Sequence, residues 1–400
     1  MSDASPLPHG EPGTSPQANI YDRLGVKTLI NAAGTFTEFG GSLMPPAVLA
    51  AQAQAARHFV DLRELQTAVG HRLAGLLRVE AALVTAGAAS GILLGTAAAI
   101  TVRAPEFTQL RTPESDRAAA ALPWEVMRQS GQRNLYDRQI EMCGARIVDV
   151  ASASDVAQAV NERTVMMMAY NCSEPQAPLQ HAEWLSLAQR FGLPTLLDAA
   201  ADIPPVENLW RFNHLGYDMV VFSGGKALRG PQGSGLLLGR ADLIAAAQRN
   251  AVPNEGTVGR VAKVSKEDIV GLWQAVELFL ASGDNLIGDC ERRLSGLERV
   301  LCDIPSLVCR RIVPPVANRF PHLLLEWEEQ QLGVSRGELK AQLVAGSPSI
   351  VTGRVEGTGE SGFLISVINL QPGEEDVVAH RIKHILLSGH FRKPTACPSR

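Results

Sequence analysis

Ser223-Gly224-Gly225-Lys226, within the stretch YDMVVFSGGKALRGPQGSGLLLG (217–239), places a lysine in a serine–glycine turn directly behind an apolar run. The run Tyr217–Phe222 predicts a β-strand, and Gly235–Gly239 predicts another. Between them Ala227 to Gly235 forms a loop stiffened by Pro231 and rich in glycine. A lysine at a strand end is placed to reach into a cleft. Burial there lowers its pKa and leaves the neutral amine that condenses with an aldehyde. The alternative is a solvated loop lysine, and the turn alone does not separate the two.

Upstream, Thr195–Leu197 predicts a strand that ends at Asp198 and is followed by Ala199-Ala200-Ala201. An acid leaving an apolar strand can be a helix cap, a metal ligand or a catalytic group. Asp198 lies 28 residues before Lys226, room for one helix-bearing crossover. Earlier still, Ala81–Thr85 predicts a strand, Ala86-Gly87-Ala88-Ala89-Ser90 a small-residue turn, and Gly91–Ile100 an apolar helix. Small residues let backbone N–H groups approach a phosphate, and the helix N-terminus adds partial positive charge. A turn that needs small residues for packing explains this segment about as well. Parallel α/β sheets bind ligands at the carboxyl ends of their strands, where all three features fall. Pyridoxal phosphate (PLP) needs a carboxylate at its ring nitrogen, so that the ring can withdraw electrons from a substrate Cα.

The remaining pattern supplies the frame. Residues 21–35 predict a turn and an extended segment. Pro45-Pro46 opens a helix towards His58, and Leu62–Leu77 predicts a second helix. Arg103 to Trp124 is polar and contains proline, which predicts a surface excursion. A helix or loop over 131–142 precedes a strand at Arg146–Val150, a helix at Asp155–Asn161 and a strand at Thr164–Tyr170. His181–Phe191 is a helix stopped by Gly192. Strands alternating with helices predict an α/β fold, a mostly parallel central sheet flanked by helices. From Lys266 the pattern changes to helices at Glu267–Ala281 and Asp289–Val300. Short strands at Leu323–Glu326, Ile350–Val355 and Gly362–Val367 follow, then a final helix, Glu374–Leu387. This predicts a smaller α+β C-terminal domain. The expected division is an extended or disordered arm over 1–20, a large domain over 21–265 and a small one over 266–400.

Composition excludes several classes. The chain has 400 residues, 46% hydrophobic and 20% charged, with a formal net charge of -4. It lacks the basic field of a nucleic-acid binder. The six cysteines form no CxxC pair, which suggests free thiols in a reducing compartment and a cytoplasmic location. The first nineteen residues carry no apolar signal region. The apolar stretch Ala81–Val102 is broken by Thr, Ser and Gly, so a buried helix explains it better than a membrane span. The nine histidines are dispersed. His380 and His384 share a face of the terminal helix, far in sequence from the cleft, and no metal site is expected.

The segments INAAGT (30–35), FGGSLMP (39–45), VTAGAASG (84–91), RNLYDRQIEMCGARIVDV (133–150), LLDAAADIPP (196–205), VVFSGGKALRGPQGSGLLLGR (220–240) and GRVAKVSKEDIVG (259–271) resemble PLP enzymes of fold type I. The resemblance is to the branch with bacterial selenocysteine synthase and D-glucosaminate-6-phosphate ammonia-lyase, and spans most of the chain. It implies the aspartate aminotransferase-like fold, with pyridoxal 5'-phosphate as cofactor. Lys226 would carry the cofactor as a Schiff base and shuttle the Cα proton. Asp198 would pair with the ring nitrogen, and Ala88, Ala89 and Ser90 would bind the phosphate with help from Ser223. Arg260 and Lys263 would face a neighbouring subunit's site and hold an anionic group; a solvated basic loop is the alternative. Arg354 is a candidate clamp for a substrate carboxylate, against a plain surface arginine. Tyr136 and Arg133 are placed near the ring, against a packed tyrosine and a surface arginine. Many relatives carry His or Gln shortly after the aspartate, near the phenolic oxygen. Here Ala200 and Ala201 stand, with Asp202 next, which leaves that group unidentified.

The expected function is a PLP-dependent lyase. It would remove ammonia from a small hydroxy amino acid or amino-sugar acid by α,β-elimination and release a 2-oxo acid. Transamination, racemisation, aldol cleavage and β-replacement begin the same way and remain alternatives, as does a non-catalytic ligand-binding homologue. The net negative balance and the short arm disfavour a tRNA substrate. A homodimer or larger homo-oligomer is expected from the resemblance, with a small-molecule substrate and no nucleic-acid or membrane partner.

Overall fold

The computed structural model describes residues 19–108, 123–282, 285–354 and 361–390. The expected arm over 1–20, all but its last two residues, and most of the 103–124 excursion lie outside them. Strands are numbered in chain order: β1 (Leu29–Ala32), β2 (Ala81–Thr85), β3 (Trp124–Gln129), β4 (Ala145–Val150), β5 (Thr164–Tyr170), β6 (Thr195–Asp198), β7 (Met219–Ser223), β8 (Gly235–Gly239), β9 (Leu307–Ile312), β10 (His322–Trp327), β11 (Ser349–Thr352) and β12 (Phe363–Ser366).

Seven strands form the central sheet in the order β2-β8-β7-β6-β5-β3-β4. All pairings are parallel except those of β8, which runs antiparallel to both β2 and β7. Alternate side chains along a strand point to opposite faces, and here each face is apolar. Leu197, Val220, Phe222, Leu236 and Leu238 join one buried cluster. Leu196, Met219, Val221 and Leu237 join the other. Both faces are therefore covered, as a parallel sheet with crossover helices requires. The helices Gly87–Arg103 and Ala241–Asn250 pack together on one face. The first is an unbroken buried run from Gly91 to Thr101.

The later chain forms a three-stranded antiparallel sheet, β12-β10-β9, whose strands β9 and β10 contact the helix Asn285–Leu301. That helix packs in turn on Glu374–His390. The amino-terminal strand β1 pairs parallel with β11, so the 30–43 segment is held between the central and the small sheet. Among the described residues no helix is long and apolar enough to cross a membrane.

Two strands escape the periodicity. β3 carries Glu125 and Arg128, charges that argue against a central strand, yet they are 1% and 5% exposed. Each is neutralised in place. Glu125 receives Arg146 Nη2 at 2.6 Å, Arg163 Nη2 at 2.9 Å and Asn161 Nδ2 at 2.7 Å. Arg128 donates to Asp149 at 2.6 Å and pairs with Asp137. Burial alone would raise the Glu125 pKa; the bonds from Arg146 and Asn161 outweigh it and hold the carboxyl below its usual range. β9, an outer strand, buries only Leu307 and Ile312 at its ends and carries the adjacent, exposed Arg310 and Arg311 between them, so no period-2 alternation marks it. The expected turn 86–90 is shorter than read. The helix starts at Gly87, whose φ of +84° makes the bend, and the alanines behind it favour helix. The strand expected over 350–355 ends at Thr352.

Candidate active site

Three neighbouring strands bring their cleft ends into register. Thr85 of β2 lies opposite Gly235 of β8, and Gly235 lies opposite Ser223 of β7. On the next strands, Val221 pairs with Asp198 and Asp198 with Tyr170. At roughly 4.8 Å per strand, the β2 and β6 ends are about 14 Å apart. Lys226, three residues beyond β7, sits over this row.

The Lys226 loop is held rigidly. Gly224 N donates to Ser234 O at 2.8 Å and Gly230 N to Gly224 O at 2.8 Å. Ser42 Oγ donates to the carbonyl oxygens of Gly225 and Lys226, at 3.0 and 2.8 Å. Arg229, at φ +55°, donates Nε to Leu43 O at 2.9 Å. Protein surrounds Lys226 closely but part of its side chain stays open to the cleft. Burial pushes its pKa down, against the attraction of Asp198, Asp202 and Cys172. That is the direction a condensing amine requires.

Asp198 is 9% exposed. Its Oδ1 accepts the Ala200 N–H at 2.9 Å, and no hydrogen bond reaches Oδ2 among the described residues. Burial pushes its pKa up, opposed by the Ala200 bond and by Lys226. A cationic ring nitrogen would supply the missing partner. The helix Gly87–Arg103 starts without a capping side chain, so the N–H groups of Ala88 and Ala89 have no intrahelical acceptor and are donors at a helix N-terminus, with Ser90 next in the same turn. A Cβ on Gly235 would sit 2.5 Å from the Gly87 carbonyl carbon, so β8 presses directly on this turn. Ser90 Oγ is engaged with Ala86 O at 2.7 Å. Ser223 closes β7 with its backbone bound to Ala200 O at 3.3 Å. An anion cradle, an accepting carboxylate and a depressed lysine lie on one strand-end row, which fits PLP.

The other expected residues divide. Tyr136 and Arg133 are exposed on the loop following β3. Gln132 of that loop accepts from Tyr170 N at 3.3 Å and Asp137 from Tyr170 Oη at 2.9 Å, so the loop borders the β5 end beside Asp198. Arg354 is paired with Glu38 and lies over the Phe36 ring at 5.0 Å. The segment that holds Arg354 touches the loop after Lys226, where Gln232 Nε2 donates to Thr37 O at 3.0 Å. Arg260 and Lys263 are not brought to the cleft within one chain. They are exposed, and the short helical turn that bears Arg260 packs on the helix Gly87–Arg103.

Two residues at the site carried no assigned role in the sequence. Asp202 is 2% exposed. Its Oδ1 accepts from Asn171 Nδ2 at 2.7 Å and from Ala317 N at 3.1 Å. Burial lifts its pKa to about 6, against those two bonds. Asn171 follows β5 directly and contacts His181. Asp202 could be found as an acid four residues after Asp198. Asn171 offers no signal beyond its position behind an apolar strand.

The chain is similar to known proteins over most of its length. The aminotransferase class-V family model matches residues 69–274, just over half of the chain. A 5'-C-glycyluridine monooxygenase-decarboxylase from Streptomyces is 29% identical, covering 99% of this chain and 98% of the relative. D-glucosaminate-6-phosphate ammonia lyase from Salmonella typhimurium is 28% identical over 92% of this chain and 98% of its own. A solved structure of a D-glucosaminate-6-phosphate ammonia-lyase superposes with a TM-score of 0.78, at 27% identity, covering 93% of this chain and 99% of that one.

Proposed function

Because the chain belongs to the aminotransferase class-V family, we propose that it is a PLP-dependent ammonia-lyase. Its substrate would be a small hydroxy amino acid or amino-sugar acid, converted to a 2-oxo acid and ammonia. The observation that carries this reading is the end-to-end similarity to D-glucosaminate-6-phosphate ammonia-lyase in sequence and in fold, with the Lys226–Asp198 pair in place.

The bound cofactor supplies an electron sink at the substrate Cα. The chain's own residues do the rest. Residues 88–90, with Ser223, hold the phosphate. Asp198 Oδ2 keeps the proton on the ring nitrogen. Lys226 Nζ takes the Cα proton and gives it to the hydroxyl leaving Cβ, which departs as water, and the released enamine tautomerises to the imine, adds water and loses ammonia. Arg354 receives the substrate carboxylate in place of Glu38, and Tyr136 and Arg133 line the rim. Arg260 and Lys263 serve a neighbouring subunit's site, so the working unit is at least a homodimer. The division at residue 265 separates the cofactor domain from the small domain that carries Arg354. The described cysteines are all free, which suits a reducing, cytoplasmic setting.

The test is an anaerobic assay with a panel of hydroxy amino acids and amino-sugar acids. Equal amounts of ammonia and 2-oxo acid, with no second substrate, support the proposal. The equally complete match to a monooxygenase-decarboxylase favours a second reading, in which the same site consumes oxygen and releases carbon dioxide. Product formation only in air, with carbon dioxide and no 2-oxo acid, would replace the first reading with the second.

A further inference from the structure

A chain of side chains runs from the back of the sheet to Asp202. Tyr217 Oη lies 2.7 Å from His181 Nδ1, His181 Nε2 lies 3.1 Å from Asn171 Oδ1, and Asn171 Nδ2 lies 2.7 Å from Asp202 Oδ1. A carboxylate only accepts, so Asn171 must turn its amide N–H to Asp202 and its oxygen to His181. His181 then carries its proton on Nε2, and Nδ1 accepts from the Tyr217 hydroxyl. Every donor in the chain points towards Asp202. From the small-domain side the Ala317 N–H donates to the same oxygen. Oδ2 of Asp202 takes no hydrogen bond among the described residues.

We propose that Asp202 is a second carboxylate of the cofactor cleft which holds the proton on the Lys226 nitrogen once that nitrogen is joined to the cofactor, and that His181 and Tyr217 are positioning residues acting on Asp202 through Asn171. The inference rests on Lys226 as the cofactor lysine and needs no particular substrate. The groups that act electrostatically on Asp202 are Asp198, which opposes its ionisation, and Lys226, which favours it. Those acting on Lys226 are Asp198, Asp202 and the Cys172 thiol. Around His181 stand Glu174, with Oε1 3.9 Å from Nε2, Arg211 and Tyr217. Burial pushes the His181 pKa down, in keeping with a neutral ring that accepts at one nitrogen and donates at the other. Asp198 is committed to the ring nitrogen once the cofactor is bound. The turn that carries Asp202 is tied to β7, just ahead of Lys226, by Ala199 N donating to Val221 O at 3.0 Å and Ser223 N to Ala200 O at 3.3 Å, so Asp202 is the remaining carboxylate at this strand end, and two converging N–H donors favour its charged form.

The experiment is a pH titration of the visible absorbance of the PLP-loaded protein, which reports the proton on the Lys226 nitrogen. Asp202→Asn should lower the midpoint by about one pH unit, a tenfold loss of proton affinity. His181→Leu should move it the same way by less, His181→Gln should restore it, and the double variant should match Asp202→Asn alone. A midpoint unchanged in Asp202→Asn, or a His181→Leu shift that persists in full in the Asp202→Asn background, overturns the proposal. Asp202→Ser keeps an acceptor for Ala317 N without the charge and repeats the test if Asp202→Asn fails to fold. A wild-type protein with no visible band overturns the Lys226 assignment itself, an outcome distinct from an unmoved midpoint.

Discussion

Gly235 offers a sharp test of how the phosphate cradle is built. A Cβ there would stand 2.5 Å from the Gly87 carbonyl carbon and 2.8 Å from both Gly87 O and Ala88 N. All three are backbone atoms, so no rotamer change relieves the overlap. Normal contact requires β8 and the Gly87 turn to part by about 1 Å. Overpacking of this kind costs about 1–3 kcal/mol. A displacement of about 1 Å at a binding constellation costs on the order of a hundredfold. Gly235→Ala should therefore weaken PLP binding at least tenfold, read by fluorescence titration of the cofactor-free protein, and lower the melting temperature by a few degrees. Gly192→Ala is the control for a glycine replaced away from the cradle. Unlike Gly235 it sits at positive φ, +63°, but it has nothing within 4 Å of the added carbon, and it caps a helix away from the cleft. It should lose stability, about 1 kcal/mol, and keep its affinity for PLP. Wild-type affinity in Gly235→Ala would refute the claim that β8 sets the cradle.

Asp198→Asn should lower kcat at least about a hundredfold while leaving the protein folded, because it removes the charge that holds the ring-nitrogen proton; circular dichroism and turnover check the two halves. Arg354→Met should raise KM about tenfold or more with a smaller change in kcat, since a carboxylate clamp contributes mainly to binding. Asp202 links stability to pH in the cofactor-free protein. Its folded pKa, about 6 against 3.8, is raised, so its contribution is fully present below pH 3.8 and is lost as pH rises through 6. A gap of about two units is worth about 3 kcal/mol. Asp202→Asn should match wild type near pH 4 and exceed it by up to that amount at pH 8 in urea melts; an advantage that shrinks as pH rises would contradict this.

The residues that could be read from the sequence were those whose chemistry breaks an otherwise apolar local pattern. Asp198 closes β6 and Lys226 lies three residues beyond β7, each behind buried aliphatic residues, so their place at the ends of strands followed from the apolar pattern, while their roles came from the resemblance. Gly192 stops its helix at a positive φ, as expected of glycine in that place. β3 was not legible because its charges are neutralised by residues such as Arg146 and Asp149, each 21 positions away. Asp202 has the same history. Its partners lie 31 residues upstream and 115 downstream, separations that no periodicity marks. Arg260 and Lys263 carry no local signal either, since their expected role depends on a second copy of the chain.

The central claim is that Lys226 holds the cofactor. Borohydride reduction of the PLP-loaded protein, followed by peptide mapping, tests it directly. Loss of the visible band and a single pyridoxyl label on the peptide containing Lys226 are expected. A label on another lysine, or a protein that gains no visible band with PLP, would contradict it.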